Sequence, residues 1–370
     1  MVVAAVLLKV GLLAFGGPAA HVALMRREIV VRRRWIDEAT FLRMFAACNL
    51  IPGPSSTELA IFIAYRLAGW PGLVLGGALF VVPAMLIMLA LAWVYATYHA
   101  TAVFLAGLYG IRPVVVGIIA WAAFDLGRRA SRRASSLAIA VAVTISSLLG
   151  FNPVLLLVLG GVALLLIHIG RSPGPLGVPL LALAPSLPAI LDAGRASRLP
   201  VLFLTFLKLG AITFGSGYVL FPLLQADFVE GLRWLPRAQL VDAIAIGQIT
   251  PGPVFTTATF LGYLFAGVPG ALLATLGIFL PGFLLVPLLD RIVVAIEHRA
   301  GVQAFLDGVS AAVVGLIAGV VVQVGISSIS DVTTAALAIL AFVVVLRRPL
   351  ASPAVVAVGG LAGLLLRFLI

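Results

Sequence analysis

The sequence predicts an all-α polytopic membrane protein made of two inverted-topology repeats, each with about five crossings and a re-entrant helical hairpin. The first observation is composition: 63% of the 370 residues are hydrophobic and only 10% are charged, which is typical of a helical membrane protein. The second is that motifs of the first half recur in the second half. The third is that the basic loops change position between the halves.

Charge and cysteine content exclude several other classes of protein. The net charge of +11 comes from arginines in short loops between apolar segments, where the positive-inside rule explains them better than nucleic-acid binding does. The single cysteine, Cys48, excludes an intramolecular disulfide and a cysteine-based metal site. The four histidines lack metal-ligand spacing, so we expect no cofactor and no metal.

In chain order, the first apolar segment runs from Met1 to about Val31 and is broken at Phe15-Gly16-Gly17-Pro18. Residues 36–50 and 55–68 flank a second break, Ile51-Pro52-Gly53-Pro54. Each flanking arm is too short to cross a bilayer, which favours a re-entrant hairpin. Crossing segments are then expected at residues 73–95, 102–126, 136–149 and 153–169.

The second half repeats the first in a constant register. Lys208 matches Lys9, Trp234 matches Trp35 and Pro251 matches Pro52, since 208 − 9, 234 − 35 and 251 − 52 all equal 199. Such agreement indicates a duplicated unit. We therefore divide the chain into a first transporter repeat at residues 1–170, a Pro-rich cytoplasmic linker at 171–200 and a second, inverted repeat at 201–370.

The inversion follows from the loop charges. In the first half, residues 26–34 and 128–133 are strongly basic, whereas the loop near His99 is neutral. In the second half the corresponding loops carry cancelling charges or no cation, and the basic residues lie at 291–299 instead. Because basic loops stay in the cytoplasm, the two halves are expected to face opposite ways.

The breaks are the predicted substrate site. A helix that starts after a Pro-Gly-Pro break leaves its first N–H groups unpaired, and hydroxyl side chains add further donors, so each break is a candidate anion site. The alternative is that these residues only kink helices for packing. The candidate substrate-binding residues at the breaks are Gly16, Gly17, Pro52, Gly53, Pro54, Ser55, Ser56, Thr57, Gly215, Ser216, Gly217, Pro251, Gly252, Pro253, Thr256 and Thr257.

These same motifs carry a family resemblance. Phe15-Gly16-Gly17-Pro18, Trp35 and Pro52-Gly53-Pro54, with their second copies, resemble the chromate ion transporter family in its long, two-domain form. The resemblance implies a multi-pass protein of the cell inner membrane that exports chromate and confers chromate resistance. The expected partners are the oxyanion, the lipid bilayer and, as an open alternative, a second copy of the chain. The residues leave open a proton-coupled carrier of sulfate or another small anion.

Deep charged residues complete the predicted site. A dianion in a low-dielectric site needs nearby cations, and the candidates are Lys9, Lys208 and Arg112. Against this, a lysine can snorkel to the interface and the arginine can pair with a carboxylate. His21 and Glu58, beside the breaks, are candidate proton-coupling residues, although Glu58 also suits the helix dipole at that position. A membrane-embedded enzyme is disfavoured because no nucleophile motif is present, and we expect no catalytic residue.

Overall fold

The computed structural model describes residues 2–13, 18–130, 134–171, 198–214, 217–289, 299–348 and 352–369. Every regular element in these ranges is a helix, and the one extended pairing there is an isolated antiparallel bridge between Pro52 and Phe214. The all-α prediction is confirmed for this part of the chain.

The described part of the first half contains seven α-helices. The short helix α2 continues into a π-helical segment, Arg26–Arg32, before the chain turns into α3. The bounds are α1 Val2–Leu13, α2 Pro18–Met25, α3 Glu38–Cys48, α4 Ser55–Tyr98, α5 Ala102–Ala130, α6 Ala134–Leu148 and α7 Pro153–Arg171.

The second half has the same series of elements. A 3₁₀ turn, Gly217–Val219, leads into the short α9, and the π-helical segment Gln225–Gly231 follows it. The bounds are α8 Arg198–Ile212, α9 Leu220–Leu224, α10 Arg237–Ile249, α11 Thr257–Leu285, α12 Ala300–Ser328, α13 Val332–Arg347 and α14 Ser352–Leu369.

Irregular backbone recurs at matched positions as well. Arg34 and Arg233, both directly after the π-helical segments, have φ values of 53° and 54°. Gly69 and Gly267, inside α4 and α11, both have a φ of 60° and kink their helices sharply. Since only glycine adopts this conformation without strain, the kink positions explain the two glycines. The kinks separate the first arm of each long helix from the segment that follows.

Five helices in the described ranges are long and apolar enough to cross a membrane. They comprise Ser55–Tyr98, Ala102–Arg128, Pro153–Gly170, Val254–Leu288 and Ala300–Ser328. Shorter apolar helices accompany them, including α1, α6, α13 and α14. The chain is therefore a multi-pass membrane protein.

The two halves exchange their last helices. In the first half α6 and α7 pack chiefly on α12, and in the second half α13 and α14 pack chiefly on α5. Small residues bring these helices close: Gly110 of α5 contacts Gly363 of α14, and Gly160 of α7 contacts Gly308 of α12. The kinked helices α4 and α11 also pack against each other. The first break therefore lies beside residues of both halves.

Candidate functional site

The backbone of the first break is tied to the second half. Gly53 has a φ of 133°, a conformation that favours glycine, and its N–H donates to the carbonyl of Thr213 at 2.6 Å. The bridge between Pro52 and Phe214 continues this contact. The expectation that the Gly53 N–H is open to an anion is wrong, because this donor is already paired across the halves.

Two polar side chains at the start of α4 also have partners. Ser55 Oγ donates to Asn49 Oδ1 at 2.8 Å, and Ser56 Oγ lies 3.2 Å from His21 Nδ1, close enough for a hydrogen bond. His21 is 1% exposed and contacts the ring of Phe80 edge-on. The structure thus brings the candidate coupling residue His21 to the first turn of the helix after the break.

Thr57 and Glu58 are different. Both side chains are buried, yet Thr57 Oγ1 and both carboxyl oxygens of Glu58 lack a hydrogen-bond partner within the described ranges. The carboxyl lies between the two halves: a Cβ on Gly53 would overlap Glu58 Oε1, and one on Gly282 would lie 3.7 Å from it. Burying polar atoms unpaired costs about 1–3 kcal/mol each, so such groups in a folded protein need a functional or solvent explanation.

The second break also has a glycine with a positive φ, but its threonine hydroxyls have hydrogen-bond partners. Gly252 has a φ of 90°, and a Cβ there would meet the Ala84 side chain at 2.5 Å. Thr256 Oγ1 donates to the Pro253 carbonyl at 2.7 Å, and Thr257 Oγ1 donates to the Val254 carbonyl at 2.8 Å. The breaks are therefore chemically unequal, since the position equivalent to Glu58 is the threonine Thr257 (257 − 58 = 199).

Some predicted site residues cannot be assigned a contact. Gly16, Gly17, Gly215 and Ser216 lie outside the described residues. Gly217 is described and buried, and a Cβ there would lie 3.1 Å from Val254 at the second break. Pro54 directly precedes α4. Pro253 precedes the 3₁₀ turn Val254–Thr256, which leads into α11, and Pro251 is buried beside Gly252.

Both deep lysines form salt bridges. Lys9 Nζ lies 2.6 Å from Glu28 Oε1, and Lys208 Nζ lies 2.6 Å from Asp227 Oδ1. The two acids, like the two lysines, are 199 residues apart (227 − 28 = 199). Each lysine is therefore paired with an acid of its own half, and contact of either lysine with the substrate stays a prediction. Glu28, which the sequence assigns to a topology-determining loop, is buried and also faces Arg32 and Arg33.

Arg112 is paired as well. Its Nε and Nη2 donate to the two carboxyl oxygens of Asp242, at 2.7 and 2.9 Å, and the Tyr95 hydroxyl donates to Asp242 Oδ2 at 2.8 Å. This outcome matches the alternative of a carboxylate partner. Sequence analysis missed both Asp242 and Tyr95. An isolated acid within the apolar arm α10 was the available signal for Asp242.

The structure combines apolar spanning helices, helices interrupted at matched positions and buried carboxylates held in ion pairs. These features define the class of membrane transporters. The chain belongs to the chromate transporter family: the family described as "Chromate transporter" matches residues 1–165 and 201–364. This family is one of transporters.

Similarity to individual proteins extends along nearly the whole chain. A "Probable chromate transport protein" of Synechococcus elongatus is 33% identical, covering 97% of this chain and 93% of that protein. A "Chromate transport protein" of Cupriavidus metallidurans is 34% identical, covering 96% and 90%. A third, from Pseudomonas aeruginosa, is 33% identical over 84% of this chain and 77% of that protein. No solved structure matches the chain.

Proposed function

We propose that this protein is a secondary active transporter of a tetrahedral oxyanion, chromate, which it exports across the cell inner membrane. Family membership and the names of its relatives support chromate as the substrate. Export is supported by electrostatics, because an inside-negative potential drives a dianion outward with about 4.6 kcal/mol per 100 mV. Export of this kind would confer chromate resistance.

We further propose that the two halves are inverted repeats that rock against each other around a central site. The swapped basic loops support opposite orientations, and the matched series of helices supports a common ancestor for the halves. In this arrangement α3 and the first arm of α4 form a re-entrant hairpin, as do α10 and the first arm of α11. The contact between α4 and α11 would be the surface along which the halves move.

The binding proposal rests on buried polar atoms at the first break that have no hydrogen-bond partner within the described ranges. Thr57 Oγ1 is a donor that an oxyanion can use, and it lies one residue from the equally unpaired carboxyl of Glu58. Since Gly282 of the second half faces this carboxyl, an anion held here would contact both halves. The second break, with satisfied hydroxyls, would line the opposite wall.

We also propose that Glu58 and His21 link oxyanion binding to protons. A protonated Glu58 can donate a hydrogen bond to an oxyanion, whereas an ionised one would repel it. His21 reaches the same helical turn through Ser56. Glu58→Gln, which mimics the protonated carboxyl, should keep chromate binding but remove the part of its pH dependence that Glu58 contributes.

Uptake into everted membrane vesicles tests the proposed function. Chromate, sulfate and molybdate would be offered in turn, each with an imposed pH gradient or membrane potential. Chromate accumulation driven by an inside-positive potential in the everted vesicles would support export. Accumulation of sulfate and not chromate would favour the sulfate carrier instead, and transport of neither would refute the proposal.

A further inference from the structure

Asp242 joins the two halves through its carboxyl group. The residue lies in α10 of the second half and is 0% exposed. Both of its partners come from the first half: Arg112 from α5 and Tyr95 from the end of α4. The guanidinium binds the carboxylate with two parallel donors, a geometry that an oxyanion with two free oxygens can also satisfy.

The two members of this ion pair differ in exposure. The Asp242 side chain is fully buried, whereas the Arg112 side chain is 29% exposed. Tyr95 is packed between the rings of His99, Phe104 and Phe260, which leaves its hydroxyl directed at Asp242. The guanidinium is therefore the more accessible member of the pair, while the carboxylate has a second donor to hold it if the guanidinium leaves.

The carboxylate of this cluster is not repeated in the sequence of the other half. The position equivalent to Asp242 is Arg43 (242 − 43 = 199), which donates to Thr40 within its own helix. This distinguishes the cluster from the salt bridges of Lys9 and Lys208, which occur in both halves and so fit a structural role in the repeat. A charge pair that occurs once and joins the halves is more suited to a function in transport.

We propose that Arg112 binds the transported oxyanion, and that the carboxylate of Asp242 is an internal competitor that occupies Arg112 when the oxyanion is absent. The exchange breaks one bidentate ion pair and forms another, with Asp242 retained by the Tyr95 hydroxyl. Only an anion that offers two oxygens to the guanidinium replaces the lost bonds, so the exchange selects oxyanions over halides. This inference rests on the proposed function and adds Arg112 to Thr57 as an anion-binding residue.

The test is chromate-dependent thermal stabilisation of the full-length protein in detergent, because a ligand that binds the folded state raises Tm. Asp242→Asn removes the competing charge, so half-maximal stabilisation should need roughly ten-fold less chromate, the change expected when about 1.4 kcal/mol of competition is lost. The double variant Arg112→Gln/Asp242→Asn leaves no buried unpaired charge, and it should fold but lose most of the stabilisation by chromate.

Two further variants keep the test decisive. Arg112→Lys retains the charge opposite Asp242 but not the paired donors, so it should fold and bind chromate more weakly. Arg26→Gln/Glu38→Gln removes an exposed ion pair and is the matched control, with unchanged chromate response. Chloride at equal ionic strength should raise the Tm of the parent protein much less than chromate does.

Unchanged chromate affinity in Asp242→Asn, or full stabilisation of the double variant, would overturn the inference. These results are separable from failure of the proposed function. If the parent protein moves chromate in vesicles and Asp242→Asn binds it no more tightly, only the role of Asp242 is lost. If the parent moves no oxyanion, the proposed function itself fails.

Discussion

Replacing Thr57 by valine should change stability and binding in opposite directions. Thr57 is 1% exposed, and its hydroxyl has no partner among the described residues. Valine has nearly the same shape, so the substitution removes an unsatisfied group without opening a cavity. Relief of that penalty is worth about 1–3 kcal/mol, and the anion-free Thr57→Val protein should melt at a higher temperature than the parent.

Oxyanion binding should weaken in the same variant. A hydrogen bond to a charged group contributes about 1.5–3 kcal/mol, which corresponds to a loss of roughly 10- to 150-fold in affinity. Thermal unfolding in detergent over a range of chromate concentrations measures both quantities on one sample. Chromate uptake by everted vesicles then reports whether the weaker binding reduces transport.

Thr256, at the equivalent position of the second half, is the matched control. Its hydroxyl donates to the Pro253 carbonyl, so Thr256→Val should lower stability by about 0.5–1.5 kcal/mol and leave chromate affinity near that of the parent. The reasoning is refuted if Thr57→Val destabilises the anion-free protein as Thr256→Val does, or if it binds chromate as tightly as the parent.

Three other predictions follow from charged groups. Lys208→Met removes the ion pair of Asp227, whereas Lys9→Met leaves Glu28 with Arg32 and Arg33, so melting experiments should find the larger loss in Lys208→Met. Cysteines placed at 130 and 331 in a Cys48→Ala background should react with impermeant thiol reagents from opposite sides of the membrane, and labelling from one side would contradict the inverted topology. Hydrogen bonds from the backbone N–H of Thr334 and, to a smaller extent, from the Tyr109 hydroxyl lower the pKa of Asp331 to about 2. The contribution of the Asp331 carboxylate to stability is therefore complete above pH ~4 and is lost as the pH falls towards 2. Asp331→Ser should keep the helix cap and remove that acid dependence from the melting temperature.

Composition was enough to predict the helices of the described residues, and the Pro-Gly-Pro break was enough to predict where α3 ends and α4 begins. Apolar segments have few alternatives in a bilayer, and Pro-Gly-Pro ends a helix wherever it occurs. The π-helical segments could not be predicted, because a shift of one residue in the hydrogen-bond pattern leaves no clear periodicity in the sequence. Their recurrence in both halves became visible only once the backbone was known.

The site was predicted less well than the fold. Sequence spacing located the breaks, but it could not tell that the Thr57 hydroxyl has no partner in the described part of the chain while that of Thr256 is bonded to its own turn. Both residues appear in the sequence as hydroxyls after a Pro-Gly-Pro motif. Partners distant in sequence were also hidden: Asp242 meets Arg112 across the two halves. Pairing of this kind depends on how helices pack, which a single sequence does not specify.

The exchange of terminal helices between the halves has a consequence for biogenesis. During translation α6 and α7 leave the ribosome before α12, the helix on which they chiefly pack, has been synthesised. Until α12 is made, α6 and α7 therefore lie in the lipid without their main packing partner. In the same way, α5 lacks its partners α13 and α14 until the second half is made. Neither half can therefore mature alone, and a chain cut between the halves should accumulate only when both fragments are made in the same cell.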